Sequence, residues 1–362
     1  MKKIIYLLLL ISSQLHSQSK IIVLDAYNNA PISYAKIISR EGVIKSTNSN
    51  GEIAIDSLKS HDTKFIVQNE FYKEQIFDIT GIKTNLVLKL SLFENVLDEV
   101  KILNVKKDYR VISGYYRKYK LVNGILMGFV DAEVEYYTAI DCLDDSFENI
   151  LNYRFLENSK KPIEDENSNQ IVSTLGEIKG VDELKCKTVY DKIQTKCTFI
   201  PNTVFKRIDL YDEKKMPCGE IITDKTTRIF FNSESEKINK IVNLLGYRYQ
   251  LLEVLAMEEY TSIDRNNLKI DDLKYKKSLI KFNFKHKKET AFNEILIEKE
   301  FFPQTVLYLT KEEYKEHRKK KLKFDRNTTN YSKPFWENLS NIYPLNSAIN
   351  LQLNSDLKEI TK

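Results

Sequence analysis

The chain has 362 residues, of which 42% are hydrophobic and 30% charged. That is room for two ordinary domains, each able to bury a core beneath a well-solvated surface. The formal net charge is +5, and two of those charges, Lys2 and Lys3, fall in a leader, so charge alone excludes a nucleic-acid binder.

Residues 1–17 read as a secretory signal peptide. Lys2 and Lys3 form its basic start, Ile4 to Ile11 its apolar segment, and Leu15-His16-Ser17 places a small residue at the cut. The apolar run is far below the ~20 residues a membrane span needs, and no Cys stands at the cleavage point to carry a lipid. No later stretch reads as a spanning helix. The expectation is an exported protein, periplasmic or associated with the outer membrane, with peripheral membrane contact at most.

From Lys20 the chain reads as short strands over Lys20–Asp25, Ile32–Ser39, Val43–Thr47, Glu52–Ile55, Lys64–Gln68, Tyr72–Ile79 and Leu86–Leu90. Turn chemistry separates them at Asn28-Asn29 with Pro31, at Asn48-Ser49-Asn50-Gly51 and at Ser60-His61-Asp62. Regular short strands with such punctuation predict an antiparallel β-sandwich. Gly51 suits a turn position that needs φ > 0. Asn48 and Asn50 carry too little charge to read as calcium ligands, so a plain turn is expected there.

This stretch resembles the carboxypeptidase regulatory-like domain, a transthyretin/Ig-like module that opens many exported proteins of the Bacteroidetes. Asp25 matches the acidic residue that ends the first strand, Pro31-Ile32 the family's Pro-Leu, and Ala35 its small residue. Thr47 to Gly51 is similar to the family's T-D-x-x-G turn with Asn48 in place of Asp. Phe71-Tyr72 stands where the family has Gly-Tyr. Leu97-Asp98-Glu99-Val100 is similar to a segment that often follows this module, notably in TonB-dependent receptors. The resemblance implies a sandwich over residues 18–102, a linker over 103–108 and a link to TonB-dependent outer-membrane systems. It implies no peptidase activity, because the module is a non-catalytic appendage. The length leaves no room for a receptor's plug and large barrel.

Residues 109–362 read as an α+β domain with a large antiparallel sheet. Asn123-Gly124 between the β-rich runs Tyr115–Val122 and Ile125–Tyr137 is a strong hairpin signature. The surrounding sequence and Pro334-Phe335-Trp336-Glu337 resemble the second domain often attached to the module, which implies no particular chemistry. Ser233 with Glu236 forms a capping-box pattern before an apolar period at Ile238, Ile241, Val242, Leu245, Leu252 and Leu255. One broken or two consecutive helices are predicted there, near Gly246. Leu279–Lys285, Phe292–Lys299 and Thr305–Leu309 read as strands, and Thr310 with Glu313 opens a charged helix to about Lys320.

Four cysteines, Cys142, Cys186, Cys197 and Cys218, allow three pairings that spacing does not decide. Cys186 and Cys197 are the nearest pair, able to close a short loop, and buried free thiols are the other reading. His286 and Glu289 match H-x-x-E, but a zinc site needs a third ligand and a base. Only His317 follows, so a basic turn is expected instead. No G-x-S-x-G elbow and no Gly-rich phosphate loop are present. Asp144-Asp145 and Glu164-Asp165-Glu166 are adjacent carboxylates, which read as solvated loops rather than a pair facing across a cleft. The basic run from His317 to Lys323 offers either contact with anionic headgroups or plain compensation of a helix dipole. Trp336 reads as an anchor for the tail.

No catalytic, cofactor or metal residue is assigned. The expected function is a non-enzymatic cell-envelope module for interaction, assembly or binding. Its expected partner is an envelope protein or a polymeric or apolar ligand. The alternatives are a hydrolase using acidic residues of the second domain and a periplasmic lipid or lipoprotein carrier.

Overall fold

The computed structural model describes residues 19–39, 44–58, 63–69, 71–82, 85–92, 107–142, 146–160, 163, 180–232, 240–244, 246–325, 327–337, 339 and 344–360. The signal peptide, the Ser233–Glu236 box, Asp144-Asp145, Glu164-Asp165-Glu166, His61 and the L-D-E-V segment lie outside the described residues. The chain divides into two compact units, residues 1–94 and 95–362. The expected linker, 103–108, falls mostly outside the described residues.

Among the described residues the first unit holds seven strands. They are β1 (Lys20–Asp25), β2 (Lys36–Ser39), β3 (Ile44–Ser46), β4 (Glu52–Ala54), β5 (Lys64–Asn69), β6 (Tyr72–Asp78) and β7 (Leu86–Leu90). They form a sheet in the order β4-β1-β7 and a second in the order β3-β2-β5-β6. Ile21, Val23, Leu88 and Leu90 of the first sheet share one apolar core with Ile37, Phe65, Val67 and Phe77 of the second. The predicted sandwich is thus present, with one departure: β1 and β7 run parallel.

The motif residues do local structural work. Asp25 is buried, and its carboxylate accepts the N–H groups of Tyr27 (2.7 Å) and Asn28 (3.2 Å) and the Tyr72 hydroxyl (2.8 Å). Thr47 Oγ1 accepts the Ala35 N–H at 2.8 Å and donates to the Ile32 carbonyl at 3.2 Å. Asn48 Oδ1 accepts the N–H groups of Asn50 and Glu52, each at 2.9 Å, which is an Asx turn. Gly51 has φ +69°, and a Cβ there would lie 2.5 Å from the Val23 carbonyl oxygen.

The second unit is one twelve-stranded antiparallel sheet. Its first three strands are β8 (Tyr109–Val122), β9 (Ile125–Ala139) and β10 (Phe147–Asn158). After helix α1 (Val189–Ile193) come β11 (Thr198–Asn202), β12 (Arg207–Tyr211), β13 (Pro217–Thr223) and β14 (Thr227–Asn232). Strands β15 (Ile241–Leu244), β16 (Tyr247–Tyr260), β17 (Leu273–His286) and β18 (Asn293–Leu309) follow. Helices α2 (Lys311–Lys319) and α3 (Ser347–Asp356) and strand β19 (Leu357–Glu359) complete it. The spatial order is β11-β12-β13-β14-β16-β17-β18-β8-β9-β10-β19, and β15 lies beside β16.

Asn123 (φ +51°) and Gly124 (φ +79°) both adopt the left-handed conformation of a type I′ hairpin, as the sequence predicts. Helix α2 starts at the predicted box, where Thr310 Oγ1 accepts the Glu313 N–H and the Glu313 carboxylate accepts the Thr310 N–H. That backbone bond, with Lys107 beside it, holds the Glu313 carboxyl down at about 2.

The helices predicted around Gly246 are instead the β15–β16 hairpin. Ile241, Val242, Leu252 and Leu255 fit a 3.6-residue period. However, Tyr247 and Tyr249 favour an extended chain, and pairing with β17 supplies the backbone hydrogen bonds of a fourteen-residue strand. The two strands predicted over Phe292–Lys299 and Thr305–Leu309 are one, β18, with a bulge between Pro303 and Thr305.

Candidate functional site

Alternation along the long strands gives the sheet two differently built faces. One carries the apolar core, including Ile112, Tyr116, Ala132, Val134, Phe155, Ile229 and Phe301, closed by Val189, Tyr190 and Ile193 of α1. The residues between them point the other way and form a charged row. Register places Lys277 opposite Glu300, Glu300 opposite Arg117, Arg117 opposite Asp131 and Asp131 opposite Arg154.

The signs therefore alternate across five neighbouring strands, the favourable cross-strand arrangement. Arg154 Nη2 lies 2.6 Å from Asp131 Oδ2, and Arg117 Nε lies 3.4 Å from Asp131 Oδ1. Arg117 Nη1 lies 3.5 Å from Glu300 Oε2, and Lys277 Nζ lies 2.6 Å from Glu298 Oε1. Tyr275 donates to Glu300 at 2.6 Å and Tyr119 to Glu298 at 2.5 Å. Trp336 covers the end of the row, its ring centroid 3.9 Å from the Arg154 guanidinium carbon, and packs edge-on with Tyr331 and Phe335. The tail is held by this cation–π contact.

Two more polar clusters sit on the core face. Glu258 is fully buried, and its carboxylate accepts Lys276 Nζ at 2.7 Å, the Val189 N–H at 2.6 Å and the Tyr260 hydroxyl. It neutralises a donor at the start of α1, beside the capping box of Thr188 and Asp191. Asp182 pairs with Lys118 (3.2 Å) and Lys299, and its carbonyl accepts the Tyr136 hydroxyl. Burial alone would raise the Asp182 carboxyl, but the two lysines outweigh it and hold it below its ordinary value. Burial, with Lys118 adding repulsion, pushes the nearby Lys120 amine down to about 8.

The adjacent acids Asp271 and Asp272 were not singled out by sequence. Asp271 is bound by Arg110 at 2.6 Å and by the Tyr308 hydroxyl at 3.0 Å. Burial and the charge of Asp271 raise the Asp272 carboxyl. Arg110 also lies against the Cys142–Cys186 disulfide. That pairing replaces the short Cys186–Cys197 loop: the Cα atoms of Cys142 and Cys186 are 5.8 Å apart, whereas α1 separates Cys186 from Cys197.

Among the described residues, one exposed apolar feature of this unit is the β15–β16 hairpin beside the β17–β18 turn. Ile241, Val242 and Leu244 are 51%, 56% and 55% exposed on a strand of four residues. Among the described residues β15 pairs with β16 alone. Val242 lies opposite Tyr249 and Leu244 opposite Tyr247, and both tyrosines pack on Phe284 at 5.3 and 5.1 Å. The Lys287 N–H donates to the Gly246 carbonyl at 3.0 Å, tying the two turns together.

Lys240, Arg248, Lys287 and Lys288 are exposed around this apolar strand. The nearby acid, Glu289, has its carboxylate on the His286 N–H at 2.6 Å. The H-x-x-E pair thus closes a turn: Glu289 caps the backbone, and the His286 ring packs edge-on with Tyr247. His317 is elsewhere, hydrogen-bonded through Nδ1 to Tyr137 at 3.0 Å. Among the described residues no group of three His, Cys, Asp or Glu side chains is placed to hold a metal. The basic run closes α2, where its charges oppose the helix dipole and Lys321 pairs with Glu148 at 3.0 Å.

No protein-family model matches the chain, and a comparison with curated proteins returns no match.

Proposed function

We propose that this chain is a non-enzymatic exported protein of the cell envelope whose second unit docks peripherally on an anionic lipid surface through the β15–β16 hairpin. The observation that carries this reading is the exposure of Ile241, Val242 and Leu244 on one four-residue strand, with Lys240, Arg248, Lys287 and Lys288 exposed beside it. A half-exposed aliphatic gains on the order of 1 kcal/mol on entering an apolar phase. A cation near an anionic headgroup layer adds about 1 kcal/mol. Three of the first and four of the second amount to roughly 7 kcal/mol, a reversible association in the ten-micromolar range.

Tyr247 and Tyr249, the cross-strand neighbours of Leu244 and Val242, are themselves held against Phe284, which lowers the ordering cost left for binding. The carboxylates of the second unit support the non-catalytic reading: Asp131, Glu258 and Asp271 are each committed to cations or backbone donors. The apolar side chains packed on the core face of the sheet argue against the carrier alternative.

The test is sedimentation of the mature protein with vesicles of phosphatidylcholine, with and without 30% phosphatidylglycerol as the conventional mixture. Binding to the anionic vesicles is expected, weakening with salt and falling at least tenfold in Val242→Asp/Leu244→Asp. No binding to anionic vesicles, or binding that the double variant leaves unchanged, would overturn the reading.

A further inference from the structure

Cys186 lies three residues before α1 and Cys197 four residues after it, so the two cysteines bracket that helix. Cys186 is already joined to Cys142, at the end of β9. Cys197 takes up the last turn of α1, its N–H donating to the Ile193 carbonyl at 2.9 Å. Its Sγ lies 3.5 Å from Sγ of Cys218 on β13, which is 1% exposed. Cys142 follows β9 and Cys218 lies on β13, strands far apart in the sheet order, with β14, β16, β17, β18 and β8 between them. Helix α1 is therefore a crossbar over the apolar core, with a thiol contact at one end and a disulfide at the other.

We propose that Cys197 and Cys218 are a modification site, an oxidisable pair that closes to a second disulfide and staples α1 to the sheet at both ends. A disulfide needs the sulfurs at about 2.05 Å, so they must approach by about 1.5 Å. Cys197 is half-buried and leads into β11, the terminal strand of the sheet, and that edge can yield. Cys218 stays in the core.

The oxidant is a disulfide, carried by a small molecule or an oxidoreductase. The Cys197 thiolate attacks one sulfur of that disulfide, forming a mixed disulfide and releasing the first thiolate. The Cys218 thiolate then attacks Cys197 Sγ, forming the internal bond and releasing the second. The pair loses two electrons and two protons, and the oxidant is reduced to two thiols. The roles follow from access: Cys197 can be reached from solvent and Cys218 cannot. The hydrogen bond from Cys218 also holds the Cys197 thiol below its ordinary value, which favours it as the attacking sulfur.

The test uses the mature full-length protein equilibrated with a glutathione and glutathione-disulfide buffer, alkylated, and digested without reduction. Trypsin places Cys197 on the peptide 197–206 and Cys218 on the peptide 216–225. The expected product is these two peptides joined, two hydrogens lighter than their sum and separated by reductant. Two alkylated thiols, under conditions where Cys142–Cys186 stays closed, would overturn the proposal. So would a persistent glutathione adduct on Cys197 with Cys218 free. A second measurement is thermal: Cys197→Ser keeps the Cys142–Cys186 bond, so its oxidised form is expected to melt about 5 °C below the oxidised wild type. Equal melting of the two oxidised proteins would show that no staple forms.

Discussion

Replacing Asp131 tests the charged row most directly. Its side chain is 1% exposed and bridges Arg117, 2% exposed, and Arg154, 11% exposed. Removing one member of a buried ion pair costs about 3–5 kcal/mol, because the charge left behind remains desolvated. Two contacts temper the loss here: Arg117 keeps Glu300 at 3.5 Å, and Arg154 keeps the Trp336 face at 3.9 Å. We therefore expect Asp131→Ala to cost about 3 kcal/mol. For a unit of this size that lowers Tm by roughly 6–12 °C.

Urea unfolding followed by Trp336 fluorescence is the assay, since the chain has a single Trp and it stacks on Arg154. The midpoint should move with the slope unchanged. Replacing the segment of the row jointly, as Arg117→Met/Asp131→Leu/Arg154→Met, should restore most of the loss, because neither arginine is then left without its carboxylate and Glu300 keeps Lys277 at 3.9 Å and the Tyr275 hydroxyl. A cost below about 1 kcal/mol for Asp131→Ala, or a joint variant worse than the single one, would refute the reasoning.

Three further outcomes follow from the geometry. Tyr72→Phe removes the hydroxyl that donates to buried Asp25 and should destabilise the first unit by about 1–2 kcal/mol in chemical denaturation. Gly51→Ala puts a Cβ 2.5 Å from the Val23 carbonyl oxygen at φ +69° and should cost more than about 2 kcal/mol by the same measurement. Lys120 releases its proton at about 8 when folded, against an ordinary lysine value of 10.5 when unfolded. Between those pH values the unfolded chain binds more protons, so stability should rise with pH across that window. The difference between wild type and Lys120→Met in urea midpoints from pH 7 to 10 measures this. A flat difference would count against it.

Local signals carried much of the architecture. In the first unit Asn48 and Gly51 make the turn that precedes β4, so the position of that strand follows from neighbours in sequence. The same holds for Asn123-Gly124 and for the Thr310–Glu313 box. Around Gly246 local information misled, because apolar residues at 241, 242, 252 and 255 suit a helix as well as a strand. Pairing with β17 decided it. The exposure of the β15–β16 hairpin was hidden for the same reason: read as a helix, Ile241 and Val242 belong to a core-facing stripe, whereas on β15 they meet solvent.

What the sequence determined by itself was the β-rich class, the turn chemistry of the first unit and the hairpin between β8 and β9, all set by interactions within a few residues. Tertiary structure alone decided the charged row, the Cys142–Cys186 bond and the approach of Cys197 to Cys218. Arg117, Asp131, Arg154, Lys277 and Glu300 share no motif and span most of the second unit. They become neighbours only when strand register aligns them, and register is a property of the whole sheet, settled by burying one face.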